Sequence, residues 1–173
     1  GTMTLTPLLA KYVATPIIAA GGIMDGRGIA AARMLGAVGV QMGTAFLACP
    51  ESGAHPAHKA LLRQGSEIAT TLSRAFTGRY GRVLRNRLTV ELQAHEAEWP
   101  GFPRQLFLTQ DLQRAAADRS LTDFMALWAG QGCHLCEDRP AAELMASWAE
   151  QAAALLGESE RQKPIRIADD LPD

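Results

Sequence analysis

Two glycine-marked segments hold the residues whose types and spacing best support chemistry. Gly21-Gly22 follows a short apolar run at residues 16–20, and Gly43-Thr44 follows another at residues 38–42. Glycine lets backbone come close to a ligand because no Cβ intervenes. Exposed N–H groups, together with the Thr44 hydroxyl, can hold an anion such as a phosphate. Glycines that only serve tight turns are the plainer reading. Two such ends on one sheet edge favour the phosphate site.

Other chemistry-bearing residues point less far. Cys133-His134-Leu135-Cys136 has the spacing of a zinc or thiol-redox pair. Zinc needs two more ligands and no second pair follows; a redox pair should open a helix after a strand, not follow a Gly-rich turn. No metal or redox role is expected there. His55 and His58 could share a helical face, but no Glu or third His completes a ligand set, so a solvated helix is expected. Cys49 reads as a small buried apolar residue, not a nucleophile. Arg74, Arg79, Arg82, Arg85 and Arg87 form the one basic cluster. Nucleic-acid binding would want interleaved aromatics, and only Phe76 and Tyr80 offer themselves, so no nucleic-acid partner is expected. These arginines read as structural first, and as lining a substrate entrance second.

The elements that must position these residues follow from pattern. Residues 16–20, between a Pro and Gly-Gly, are too few for a buried helix and read as a strand buried on both faces. Asp25 is the N-cap of a helix over 26–35, closed by Gly36-Ala37, and 38–42 is a second strand. Such a βαβ unit implies parallel strands and a right-handed crossover. Both Gly-marked ends then lie side by side. Before it, Leu5, Leu8, Leu9, Tyr12 and Val13 give a packing helix over 4–13, capped by Thr4 or Thr6, with Pro7 in its first turn. A helix is expected over 56–64 with Leu61 and Leu62 inward, and a β-leaning segment over 68–76. Residues 91–105 are polar and Pro-broken, and helical stretches are expected over 106–117 and 121–128. A long amphipathic helix over 140–156 presents Leu144, Trp148, Ala152 and Leu155. The charged tail, 158–173, is expected to be disordered.

The segment IIAAGGIMDGRGIAAARMLGAVGVQMGTAFLACPES closely resembles the late barrel strands of nitronate monooxygenases, formerly called 2-nitropropane dioxygenases. AFTGRYGRVLRNRLT and the run Leu127 to Gly132 resemble parts of the smaller second domain of that family. The family's members are FMN-dependent TIM-barrel enzymes that oxidise alkyl nitronates with molecular oxygen. The resemblance implies an α/β chain: the carboxyl-terminal part of an FMN-binding TIM (β/α)8 barrel with a smaller, mainly helical inserted second domain. Residues 1–48 would be the late barrel segment, 49–132 the second domain and 133–157 the final barrel helix. It implies that Gly21, Gly22, Gln41, Met42, Gly43 and Thr44 hold the phosphate end of FMN, and that Arg85-Asn86 ties its segment down through side-chain hydrogen bonds. The Gly-rich turn after Trp128 could face the active-site mouth, though a simple helix-ending turn is preferred. The family's His lies in an upstream Gly-His motif. None of His55, His58, His95 or His134 matches it, so no catalytic residue is carried over. Two other readings stand beside this one: an FMN-dependent enoyl-acyl-carrier-protein reductase, or a non-catalytic half-barrel that packs against a partner.

The whole chain sets bounds on these readings. Its 173 residues carry a formal charge of -1, giving no overall field for nucleic acid or a membrane surface. No apolar run approaches the length of a membrane span. Three cysteines cannot all pair within the chain, which favours a reduced, cytoplasmic setting. A complete barrel takes ~250 residues, and only two barrel strands are convincing here. An amino-terminal half, or self-association, is expected to complete the fold.

Overall fold

The computed structural model describes residues 1–64 and 69–161. Its first unit is the expected βαβ. Strand β1 (Ile18–Ala20) pairs in parallel with β2 (Gly39–Gln41), Ile18 opposite Gly39 and Ala20 opposite Gln41. Helix α2 (Gly26–Met34) crosses between them. Asp25 caps it by accepting from the Gly28 amide at 3.1 Å, and pairs with the Arg27 guanidinium at 2.6 Å. Burial alone would raise the Asp25 carboxyl, but Arg27 and the Gly28 amide outweigh it and hold the carboxyl below its usual range.

The strands are not buried on both faces. Ala19 is buried, but Ile18 is 56 % exposed and Ala20 is exposed too. With β2 its one sheet neighbour among the described residues, β1 is left with one unpaired edge there. Helix α1 (Thr2–Tyr12) repeats this pattern. Its expected packing stripe, Leu5, Leu8, Leu9, Tyr12 and Val13, is exposed, and Thr6 is its buried contact. Neither Thr4 nor Thr6 caps it: Gly1 occupies the cap position, and Pro7 falls in the second turn. Thr2 instead donates its hydroxyl to the carbonyls of Ala20 and Gly21, at 2.9 and 2.8 Å. That ties the start of α1 to the end of β1.

The longest helix packs across α2. Leu144 and Trp148 are buried with Met24, Ala45 and Cys49, and Ala152 is buried one turn further on. Leu155, expected inward, is exposed. We number this helix α6 (Ala141–Arg161); it continues through the first residues of the expected tail, and residues 162–173 lie outside the described ones. At the crossing the Gly26 amide donates to Gln151 Oε1 at 2.8 Å. A Cβ on Gly26 would sit 2.5 Å from the Trp148 carbonyl oxygen, so the approach admits no side chain.

Between these parts lie α3 (Pro56–Leu62), a β3–β4 hairpin (Thr70–Ser73 and Gly81–Leu84), α4 (Arg87–Glu91) and α5 (Arg104–Asp118). Part of the expected β segment, Ile68, lies outside the described residues. Asn86 does tie its segment down. It forms a capping box with Thr89, and its amide donates to the carbonyls of Thr122 and Met125, each at 2.9 Å. Arg85 is exposed.

The expected helix over 121–128 is replaced. A single 3-10 turn, Thr122–Phe124, leads into an extended stretch in which Trp128 bridges Val83. Leu84 donates to Leu127 O at 2.8 Å and Ala129 to Arg82 O at 3.1 Å. Met125, Leu127 and Ala129 are buried in alternation, so period-two packing against β4 wins over local helical pattern. Helix α5 also departs from an apolar stripe, since it buries Gln105 and Thr109, whose side chains donate to the carbonyls of Ala75 and Phe76 at 2.6 and 2.7 Å.

Candidate functional site

The register of β1 and β2 brings the two Gly-marked ends to one edge. Gly21 and Gly22 have φ of +99° and +76°, where L side chains are strained. A Cβ on Gly22 would meet no atom within 4 Å, and the same holds at Gly43. Neither glycine is there to admit a packed neighbour; both border open space. Gln41 ends β2 and is exposed. Met42 differs, because its side chain packs into the clusters around Ala19 and Trp148, leaving only its backbone for a ligand.

Thr44 opens a 3-10 turn, Thr44–Phe46, whose cap residue Gly43 supplies no side-chain cap bond. Its hydroxyl accepts from the Gly130 amide at 2.9 Å. A hydroxyl also has a proton to donate, and this one remains available for a ligand. The Thr44 carbonyl accepts from the Cys136 thiol at 3.1 Å. That thiol is pushed up to about 12, first by burial and then by the neighbouring Cys133 and Cys49, so it stays a protonated donor.

The turn from Gly130 to Gly132, preferred from sequence as a helix end, instead follows an extended segment and lies against both loops. Gly130 bonds Thr44, while a Cβ on Gly132 would stand 2.6 Å from Met24 Cγ and 3.8 Å from Gly22 O. The sequence offered this turn at the active-site mouth only as the second choice, on the resemblance of the run Leu127 to Gly132. Between Thr44 and this turn is a cavity of about 370 Å³, lined by Gly43, Thr44, Leu47, Arg82, Trp128, Ala129 and Gly130. None of the four histidines lines it.

The two histidines of α3 share no solvated face. His55 caps the helix, its Nδ1 accepting from the Ala57 amide at 3.1 Å. His58 is only 7 % exposed, and its Nε2 has no hydrogen-bond partner. Burial, and His55 nearby, lower its pKa. All three cysteines are unpaired, and burial raises each thiol. Among the described residues no three His, Cys, Asp or Glu side chains cluster as a metal site, and no helix is long and apolar enough to cross a membrane. The arginines are dispersed over local partners. Arg74 donates to Trp99 O at 3.0 Å, Arg79 lies 4.2 Å above the Phe102 ring, and Arg87 pairs with Glu91 at 2.6 Å.

Known proteins resemble this chain in sequence and fold. A sequence profile of the nitronate monooxygenase family matches residues 1–151. A nitronate monooxygenase of Pseudomonas aeruginosa is 45 % identical over 152 residues, covering 87 % of this chain and 43 % of that protein. A probable nitronate monooxygenase of Staphylococcus haemolyticus is 38 % identical over 156 residues, covering 90 % of this chain and 44 % of that one. Among solved structures, nitroalkane oxidase from Streptomyces ansochromogenes superposes with a TM-score of 0.84 at 40 % identity, over 92 % of this chain and 45 % of that chain. FabK from Thermotoga maritima gives 0.78 at 32 % identity, over 92 % and 51 %. The chain thus spans somewhat under half the length of the curated relatives it matches. From residue 1 through the α2–α6 packing, this chain belongs to the nitronate monooxygenase family.

Proposed function

We propose that this chain is the phosphate-holding part of an FMN-dependent nitronate monooxygenase acting on alkyl nitronates and O2. The observation that carries the reading is the open space at Gly22 and Gly43 beside the available Thr44 proton. A phosphate needs several convergent donors and room for its oxygens, and the open space together with the Thr44 hydroxyl supports such a site. Gly21, Gly22, Gln41, Met42 and Gly43 would contribute backbone, and Thr44 backbone and hydroxyl. FMN, when bound, supplies the electron transfer between nitronate and oxygen. The chain's own work is to bind the phosphate, fix the Thr44 loop through Gly130 and Cys136, and orient the ligand.

On the same reading, residues 1–48 are the late strands of a TIM barrel, 49–132 a smaller second domain and 133–157 part of the final barrel helix. The missing strands would come from an amino-terminal half. The unpaired thiols fit a reducing, cytoplasmic setting.

In the full-length protein, Gly22→Val should abolish FMN retention, since it adds bulk in the open space and strain at positive φ. Thr44→Ala should weaken binding by about 1–3 kcal/mol. If both variants purify with a full complement of flavin, the phosphate assignment is wrong. The likeness to FabK keeps a second reading, an FMN-dependent enoyl-acyl-carrier-protein reductase. Oxygen uptake with alkyl nitronates, against NADH oxidation with enoyl thioesters, separates the two.

A further inference from the structure

The cavity beside Thr44 has a second wall that the phosphate reading leaves unused. Arg82 lines it together with the Thr44 loop. Arg82 lies opposite Leu72 in the hairpin, and Leu84 lies opposite Thr70. Alternation therefore puts Arg82 and Leu84 on one face of β4. Leu84 is buried with Leu62, Leu127 and Cys133, in a cluster against which Leu47 packs. That face of the hairpin is thus the one turned toward the chain that carries Thr44.

The backbone fixes this placement. Arg82 O accepts from the Ala129 amide at 3.1 Å, and the next amide, Gly130, donates to Thr44 Oγ1 at 2.9 Å. Two hydrogen bonds on adjacent residues connect Arg82 to the Thr44 hydroxyl. Arg82 is half-buried, and its side-chain bond is to a neutral group, Thr70 Oγ1 at 3.1 Å. Among the described residues its charge meets no carboxylate within ion-pair distance, whereas Arg27, Arg63, Arg87, Arg114 and Arg139 each have at least one. A guanidinium has five N–H donors. Among the described residues, most of those on Arg82 have no acceptor. A half-buried arginine with no counter-charge among the described residues, lining one cavity with a hydroxyl that has a proton to give, is suited to an anion.

We propose that this cavity is an oxyanion subsite in which Arg82 supplies the positive charge and Thr44 a hydroxyl donor, taking the anionic group of a small organic molecule. The proposal deepens the reading of the Thr44 loop and rests on it. The oxyanion could be the phosphate monoester of the flavin nucleotide or the nitronate group of the substrate.

The test uses the full-length protein with Arg82→Met and Arg82→Lys. Apoprotein is titrated with FMN and with riboflavin by flavin fluorescence, and steady-state kinetics are measured with an alkyl nitronate. A phosphate subsite predicts that Arg82→Met weakens FMN about tenfold or more and leaves riboflavin unchanged. A nitronate subsite predicts a KM raised about tenfold with kcat within about twofold and FMN affinity unchanged. In either case Arg82→Lys recovers most of the loss. If FMN affinity and nitronate KM both stay within about twofold of wild type, the proposal is overturned. Equal losses for FMN and riboflavin that lysine does not recover also overturn it, since they mark a structural role. Should Arg82→Met not fold, phenylglyoxal labelling of Arg82 in the wild type decides: slower labelling with FMN or nitronate bound supports the subsite, and no protection by either overturns it. Thr44→Ala runs in parallel. Normal FMN affinity in that variant defeats the phosphate-loop reading, while the nitronate KM of Arg82→Met still judges Arg82.

Discussion

Thr44 is held on two sides, its hydroxyl accepting from Gly130 and its carbonyl from Cys136. The second contact gives the C-x-x-C motif a use unrelated to metal. Because burial raises all three thiols, they should resist iodoacetamide at pH 8 in the native protein and react once it is unfolded in urea. Rapid native labelling would contradict the burial described. His58 makes the opposite prediction about pH. Its folded pKa lies below its ordinary value, so the unfolded chain binds the proton more readily. The stability this contributes is present above about pH 6.5 and is lost as pH falls through the lowered folded value. The urea midpoint should therefore fall between pH 7.5 and 5.5, and His58→Leu should reduce that fall. An identical fall in both proteins would rule His58 out as its source. At this scale the sequence made Gly21, Gly22, Gly43 and Thr44 legible because their value lies in the backbone, which residue type reports directly. Arg82, Gly130 and Gly132 were legible only as second choices, a substrate entrance and an active-site mouth, since which neighbours they meet depends on contacts distant in sequence.

Among the elements, the parallel β1–α2–β2 unit could be read because its strand, cap and turn signals agree locally. The extended segment at Met125–Trp128 could not, because eight apolar-rich residues suit either state until β4 offers its hydrogen bonds. Two substitutions test what holds the elements. Gly26→Ala puts a Cβ against the Trp148 carbonyl and should cost about 1–3 kcal/mol by forcing α2 from α6. Asn86→Ala removes the α4 capping box and leaves the Thr122 and Met125 carbonyls without that donor, for a loss of about 2–4 kcal/mol. Chemical denaturation of the full-length protein measures both. A change below about 0.5 kcal/mol in either would mean that the contact relaxes without consequence.

At the scale of the molecule, α1 and β1 leave Leu5, Leu8, Leu9 and Ile18 exposed along one concave face. Apolar surface of this kind seeks cover. The 173-residue chain on its own should self-associate at micromolar concentration, hold no FMN through gel filtration and consume no oxygen with nitronates. Sedimentation velocity reads the first outcome, and a monodisperse yellow monomer that oxidises a nitronate would defeat the half-barrel reading. The composition-based expectation of further strands came from counting, and which surface needs them became visible only when the leucines of α1, helical in spacing, proved to face outward. The Thr44–Gly130 hydrogen bond joins residues 86 apart in sequence. Closing that long a loop carries an entropic cost, so we expect this bond to form after the local structure between its ends and to open more readily than α2. Hydrogen exchange at the Gly130 amide should accordingly outrun exchange in α2, and a bound anion should slow it, because a ligand that recognises only the closed loop selects chains that have finished folding.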